Sequence, residues 1–145
     1  MSDGWRALFD TSAAVAILNA NEKAHARCVE SLRQLQAPLH TTWPVITEAH
    51  YLLRHSRVAQ SKLIQLAGSQ AVTVHELPNE FFDWMQEFTQ RYSDQEVQLA
   101  DASLVWLAER MGVETVFTLD QRDFSTFRFR SGNELKMFQI LPELI

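Results

Sequence analysis

The sequence predicts an α/β fold of three layers, with a mostly parallel central sheet covered by helices on both faces. Three observations predict it. Short apolar or β-branched runs recur along the chain: Ala7 to Phe9, Leu39 to Thr42, Ala71 to His75 and Val113 to Thr118. Between successive runs lie two stretches whose apolar residues repeat with helical spacing. Connections of that length, built from helices, join parallel strands rather than hairpins.

The elements follow in order. Ala7-Leu8-Phe9 ends at Asp10, and Asp10-Thr11-Ser12 offers capping side chains for a helix through Ala13 to Leu18. Ala24, Cys28, Leu32 and Leu35 predict a second helix over Glu22 to Leu35. Pro44 sits where a first helical turn tolerates proline, and Val45, Ala49, Leu52 and Leu53 form its apolar stripe. Val58 to Ala67 predicts a helix ending at Gly68. Pro78 opens another, with Phe81, Phe82, Met85 and Phe88 on its buried face. Val97 to Met111 has the strongest helical pattern, and Gly112 stops it as a C-terminal glycine does. Phe138 to Leu141 is a last short strand, while 125–132, STFRFRSG, reads as a loop or irregular edge. Trp43, Trp84 and Trp106 are expected in the core or at an interface.

A chain of 145 residues with 46% hydrophobic and 21% charged side chains can bury a sizeable core, and one domain over 1–145 is expected. No apolar run approaches the roughly 20 residues of a membrane span. The start, MSDGWRALFD, lacks the basic region and long apolar stretch of a signal peptide. Cys28, the single cysteine, fits a reducing compartment, so the expected location is the cytoplasm. A net charge of −5 disfavours a general nucleic-acid binder. It leaves open a site that gathers carboxylates and offsets them with divalent cations.

The stretch VFTLDQRDF, Val116 to Phe124, points to such a site. In parallel α/β sheets the functional crevice lies outside the carboxyl ends of the strands. Asp10 and Asp120 each follow a strand, Glu48 lies about one turn into the helix begun at Pro44, and Asp101 lies early in the helix that precedes the Val113 strand. Singly, Asp10 reads as an N-cap, Glu48 as a solvated acid, and Asp120 or Asp123 as a turn residue. Asp101 resists such a reading, because Leu99, Ala100, Ala102 and Leu104 surround it and a lone buried carboxylate is costly. Together the four acids repel one another and call for a cation. Oxygen ligands with no H-E-x-x-H or similar histidine spacing suit Mg²⁺ or Mn²⁺.

The segments LFDTSAAVAIL, TTWPVITEAHYLL, LADASLVWLAERMG and VFTLDQRDF, in this order, resemble the PIN-domain family, and within it the VapC-like ribonuclease toxins of toxin–antitoxin pairs. The resemblance implies a PIN-like fold and a metal-dependent endoribonuclease with Asp10, Glu48, Asp101 and Asp120 as its acidic quartet. Asp10, Asp101 and Asp120 would hold Mg²⁺ or Mn²⁺, and Glu48 would orient or deprotonate a water. Thr118 would buttress the site, Thr11 or Ser12 would support Asp10, and Asp123 would stand behind the ligands. Asp94 is expected to cap the following helix. RNA, an antitoxin protein and a second copy of the chain, on the stripe of the Val45 helix, are the implied partners. Arg54, His55, Arg57 and Lys62, and separately Arg122, Arg128 and Arg130, are candidate phosphate contacts, although solvated basic side chains are the simpler reading. A PIN-like scaffold that binds RNA-processing partners without cleaving is the alternative. A phosphoacceptor receiver domain fits less well, because VTVHELP supplies no acid at the third strand's end and no lysine follows the last strand.

Overall fold

The computed structural model describes residues 4–143. Its elements are β1 (Leu8–Phe9), α1 (Thr11–Leu18), α2 (His25–Leu32), β2 (Leu39–Thr42), α3 (Trp43–Leu52), α4 (Arg57–Ala67), β3 (Val72–His75), α5 (Glu80–Arg91), α6 (Leu99–Met111), β4 (Thr115–Phe117), α7 (Gln121–Thr126), β5 (Arg128–Ser131), β6 (Glu134–Met137) and β7 (Gln139–Leu141). The main sheet runs β3-β2-β1-β4-β7 with every pairing parallel.

Strand alternation sorts the side chains into two cores. Ala7, Phe9, Leu39, Val72 and Phe117 pack with α1 to α4 on one face. Leu8 and Val116 point the other way, into a core with α5, α6 and the Phe124, Phe127, Phe129 and Phe138 rings. The predicted three-layer α/β/α arrangement is therefore the observed one. From β1 the chain moves outward through β2 and β3, then returns to place β4 on β1's other side. Strand order reverses between β1 and β4, which is where such folds open a crevice at the carboxyl edge.

Gly112 adopts the left-handed conformation predicted for it (φ 67°) and ends α6 with its N–H donated to Ala108 O. Several expectations are corrected. The second helix is shorter than Glu22 to Leu35, starting at His25 and ending at Leu32. Phe82 lies on the outside of α5, because the buried stripe runs through Phe81 and Phe88 instead. Of the tryptophans expected in the core or at an interface, Trp43 is exposed and so is no core residue, whereas Trp106 is buried and Trp84 stacks between Phe81 and Phe88. Segment 125–132 is not irregular: it finishes α7 and forms β5, which pairs antiparallel with β6. Its register closes a two-residue turn between Ser131 and Glu134, and Gly132 supplies the positive φ (62°) that turn needs. Among the described residues no helix is long and apolar enough to cross a membrane.

Candidate metal centre

Asp10 still belongs to the ladder at its backbone, donating its N–H to Phe117 O at 3.0 Å. It occupies the N-cap position of α1, yet its side chain makes no capping bond. Its Oδ2 instead accepts from Thr118 Oγ1 at 2.6 Å. Thr118 gives its one hydroxyl proton to that bond, so Ser12 Oγ, 3.1 Å away, donates to Thr118. Thr118 also accepts the Asp120 N–H at 2.9 Å, and Ser12 accepts the Leu119 N–H at 2.8 Å. These bonds tie the ends of β1 and β4 into one polar knot. Two atoms stay out of it: Asp10 Oδ1 and Thr11 Oγ1 are buried with no hydrogen-bond partner among the described residues.

Asp101 arrives from the opposite side, in the first turn of α6, where only 7% of it is exposed. The helix is tied to the end of β2 by a buried relay missed in the sequence. Ser103 Oγ donates to Ala100 O at 2.6 Å, so Thr42 at the end of β2 donates to Ser103 at 2.6 Å. Asp120 caps α7 by accepting the Asp123 N–H on Oδ1 at 3.1 Å. Turn chemistry and site chemistry thus coincide in one residue. Asp101, Asp120 and Asp123 each bring a carboxylate oxygen to within 4.8 Å of the others.

This tight group differs from the predicted set, with Asp123 in it and Asp10 beside it. The signal for Asp123 was the spacing, since an acid three residues past an acidic cap lies on the same face of the first turn. Glu48 is exposed on α3, and its charge reaches Asp10. The structure thus brings Asp101, Asp120 and Asp123 together, with Asp10 close enough for its charge to act on Asp101, and leaves Glu48 on the solvent side.

The electrostatics follow from the crowding. Burial pushes the Asp101 carboxyl up to about 9, with the charges of Asp10, Asp120 and Asp123 adding to it. Burial also raises Asp10, to about 6, against the lowering effect of the Thr118 hydroxyl. Asp123 is raised by burial and then by Asp120. Acids that hold their protons this firmly are short of a counter-charge. No histidine or cysteine belongs to the group, its donors are hard oxygens, and beside it Asp10 Oδ1 is buried and unpartnered among the described residues. That donor set fits a divalent hard cation.

Beside it, a cavity of about 420 Å³ opens between the approach to α6 and the length of α7, lined by Gln98, Asp120, Arg122, Asp123 and Thr126 among others. Of the basic candidates, Arg122 alone lines it. Arg54 lies over the Tyr51 ring at 4.1 Å, and Arg57 is exposed at the start of α4. Arg128 is occupied in donating to the carbonyls of Ser125 and Thr126 at the end of α7. Asp94 does not cap α6, whose N-cap is Gln98.

Residues 7–129 match the PIN domain. The chain is 30% identical over 138 residues to Ribonuclease VapC26 of Mycobacterium tuberculosis (strain ATCC 25618 / H37Rv), covering 93% of this chain and 99% of that protein. Its fold is similar to the crystal structure of Mycobacterium tuberculosis VapC20, a Sarcin-Ricin loop cleaving toxin, with a TM-score of 0.73 at 20% identity over 79% of this chain and 90% of that one. The chain belongs to the PIN-domain family, as a VapC-like member.

Proposed function

We propose that the protein is a Mg²⁺- or Mn²⁺-dependent endoribonuclease that hydrolyses RNA phosphodiester bonds and serves as the toxin of a toxin–antitoxin pair. One observation carries this reading: Asp101, Asp120 and Asp123 bring carboxylate oxygens together beside Asp10, near the switch point of the sheet, with a deficit of positive charge. The ribonuclease and toxin names of the similar proteins support it.

In this reading Asp10, Asp101 and Asp120 hold the ion, and Asp123 completes the oxygen set. Thr118, with Ser12 behind it, keeps Asp10 aimed. The hydroxyl of Thr11, next in the chain, is buried and unpartnered like Asp10 Oδ1 among the described residues, and would turn to support that carboxylate only with the ion in place. The ion supplies Lewis-acid stabilisation of the charge that builds on a phosphodiester under attack. Glu48 accepts the proton of the attacking water, a role that suits its solvent exposure and electrostatic contact with Asp10. Arg122 meets phosphate at the mouth of the site, and Arg54 and Arg57 extend the RNA surface along the corner of α3 and α4. Val45, Ala49 and Leu53 of the expected stripe are buried within the fold, so the surface left for the antitoxin and a second copy of the chain on those two helices is Trp43, Tyr51, Leu52, Val58 and Ile64, which are exposed.

The test is cleavage of a mixed RNA pool by wild type and Asp101→Asn, side by side, with Mg²⁺, with Mn²⁺ and with EDTA. Cutting that requires both metal and Asp101 supports the reading. Cutting that survives either removal sinks it.

A further inference from the structure

Helix α7 is a partition between two cavities. Asp120, Asp123 and Thr126 line the acidic one. Gln121 and Ser125 line the other, of about 500 Å³, whose floor is Met137, Phe138 and Ile140. Arg122 lines both. The second cavity is predominantly apolar, and its polar groups are only partly engaged. Gln121 Nε2 donates to Pro142 O at 3.0 Å, which fixes the amide and leaves Oε1 as a free acceptor. Ser125 Oγ donates to Arg122 O at 2.9 Å. The Arg122 side chain is exposed and has no ion pair among the described residues.

We propose that this second cavity is a nucleobase subsite, occupied by one base of a single-stranded substrate next to the phosphate at the acids. It rests on the ribonuclease reading above. An apolar floor accepts the flat face of a base whatever its sequence, and one fixed acceptor offers a means of telling bases apart. Arg122 stands where the backbone between base and scissile phosphate must cross the partition, and a guanidinium binds phosphate in a two-point fork. Glu143 also lines the cavity, and its charge disfavours phosphate inside. Base in the apolar cavity and phosphate at Arg122 is therefore the orientation that charge selects. A protein segment would need the apolar floor alone and would leave the shared arginine unexplained.

Two experiments run together. Wild type, Ser125→Trp and Gln121→Ala cut a random-sequence RNA pool with Mn²⁺, and cut sites are read at nucleotide resolution. In parallel, oligonucleotides carrying 4-thiouridine are photo-crosslinked to Asp101→Asn, with and without Ser125→Trp. Ser125 is exposed, so tryptophan there fills the cavity without entering the core. Wild type should show a base preference at one position beside the cut. Ser125→Trp should flatten that preference and lower kcat/KM about tenfold or more, the scale of one lost base contact. Gln121→Ala should change which base is preferred. Crosslinks should fall in the segment 137–140 and vanish with Ser125→Trp. If wild type cuts but both variants keep its preference, the subsite is wrong and the ribonuclease reading survives. If nothing cuts but the crosslink at 137–140 persists and Ser125→Trp removes it, the subsite stands and the cleavage reading falls. Absence of both overturns the proposal.

Discussion

The sheet carries two polar clusters, each partly buried, that are built to opposite rules. On β2 and β3, His40 Nδ1 and His75 Nε2 lie 3.0 Å apart, Thr42 and Ser103 are 2.6 Å apart, and Thr41 donates to Phe9 O at 2.7 Å. Each of these groups is paired. At the ends of β1 and β4, like charges are packed together, and Asp10 Oδ1 and Thr11 Oγ1 are buried without partners among the described residues. A buried polar group costs little when matched and about 1–3 kcal/mol when orphaned. The first cluster therefore reads as structure. The second reads as a site whose missing partner comes from outside the chain.

The largest expected effect lies at Asp101. Asp101→Asn should lower metal-dependent RNA cleavage by roughly a hundredfold or more, as removal of an electrostatic anchor at a reacting centre does. The same substitution should leave the metal-free protein equally or more stable, because it removes a crowded acid. Mn²⁺ at a hundred times its dissociation constant should stabilise wild type by about 2.7 kcal/mol, since it binds only the native state. The variant should gain clearly less. Equal Mn²⁺-induced rises in melting temperature would place the ion elsewhere.

The clusters should also respond to pH with opposite signs. Asp10 and Asp101 have folded values of about 6 and about 9 against an ordinary 3.8, so the native state binds more protons than the unfolded chain. Metal-free stability from these groups is full at low pH and is lost as pH rises from about 4 towards 9. His40 and His75 are both lowered, each first by burial, from an ordinary 6.5. Their contribution is full above the unfolded value and is lost as pH falls below about 6.5. Urea unfolding at several pH values, with EDTA or Mn²⁺, separates the two. Mn²⁺ should flatten the alkaline loss and leave the acid-side loss in place, and His75→Asn should reduce only the latter. A metal-free protein that grows more stable between pH 7 and 9 would contradict the crowding argument.

A subtler break in the site is Thr118→Val, which keeps the shape and deletes the hydroxyl shared by Asp10, Ser12 and Asp120. Loss of such an orienting partner typically costs about 10–100-fold in metal affinity. Titration of Mn²⁺ by calorimetry should show that drop with the number of sites unchanged. Affinity within a factor of two of wild type would mean that Asp10 needs no holding.

Much of this division was legible in the sequence. Strand runs interleaved with helix pairs led to the parallel sheet, and an acid among apolar neighbours in LADASLVWLA marked Asp101 as buried. The local rules failed where tertiary partners decide. Segment 127–130 alternates buried Phe127 and Phe129 with Arg128 and Arg130, a period-2 strand signal, but its partner strand β6 is exposed throughout, so the alternation of Leu135 and Met137 with Glu134 and Lys136 marks no buried face. Phe82 follows from the same limit: an amphipathic stripe was widened by one ring that the core does not reach. In the site, the neighbourhood of Asp10 and Asp120 came from strand ends. The ranking of Asp123 over a supporting role depended on where α7 turns, which is set by the Asp120 cap. The Thr42–Ser103 bond joins residues 61 apart, and no spacing rule connects them.

That bond supplies the smallest and sharpest test of the contrast. Ser103→Ala removes a hydroxyl that donates to Ala100 O and accepts from Thr42, leaving Thr42 Oγ1 buried beside a methyl group. Thr42 then loses its acceptor and Ala100 O loses a donor, so the cost should be about 1–3 kcal/mol by urea unfolding. Ala100 adjoins Asp101 in the first turn of α6, so the relay lies within one residue of the acids. If the relay serves packing alone, the nine consecutive buried residues Ala100 to Ala108 keep the helix in place without it. Mn²⁺ should then raise the melting temperature of Ser103→Ala by as much as that of wild type. A paired cluster can lose a member and lower stability alone, whereas every change in the unpaired one should alter its response to metal. A Mn²⁺ shift that falls with Ser103→Ala would join the two clusters into one unit and erase the distinction drawn between them.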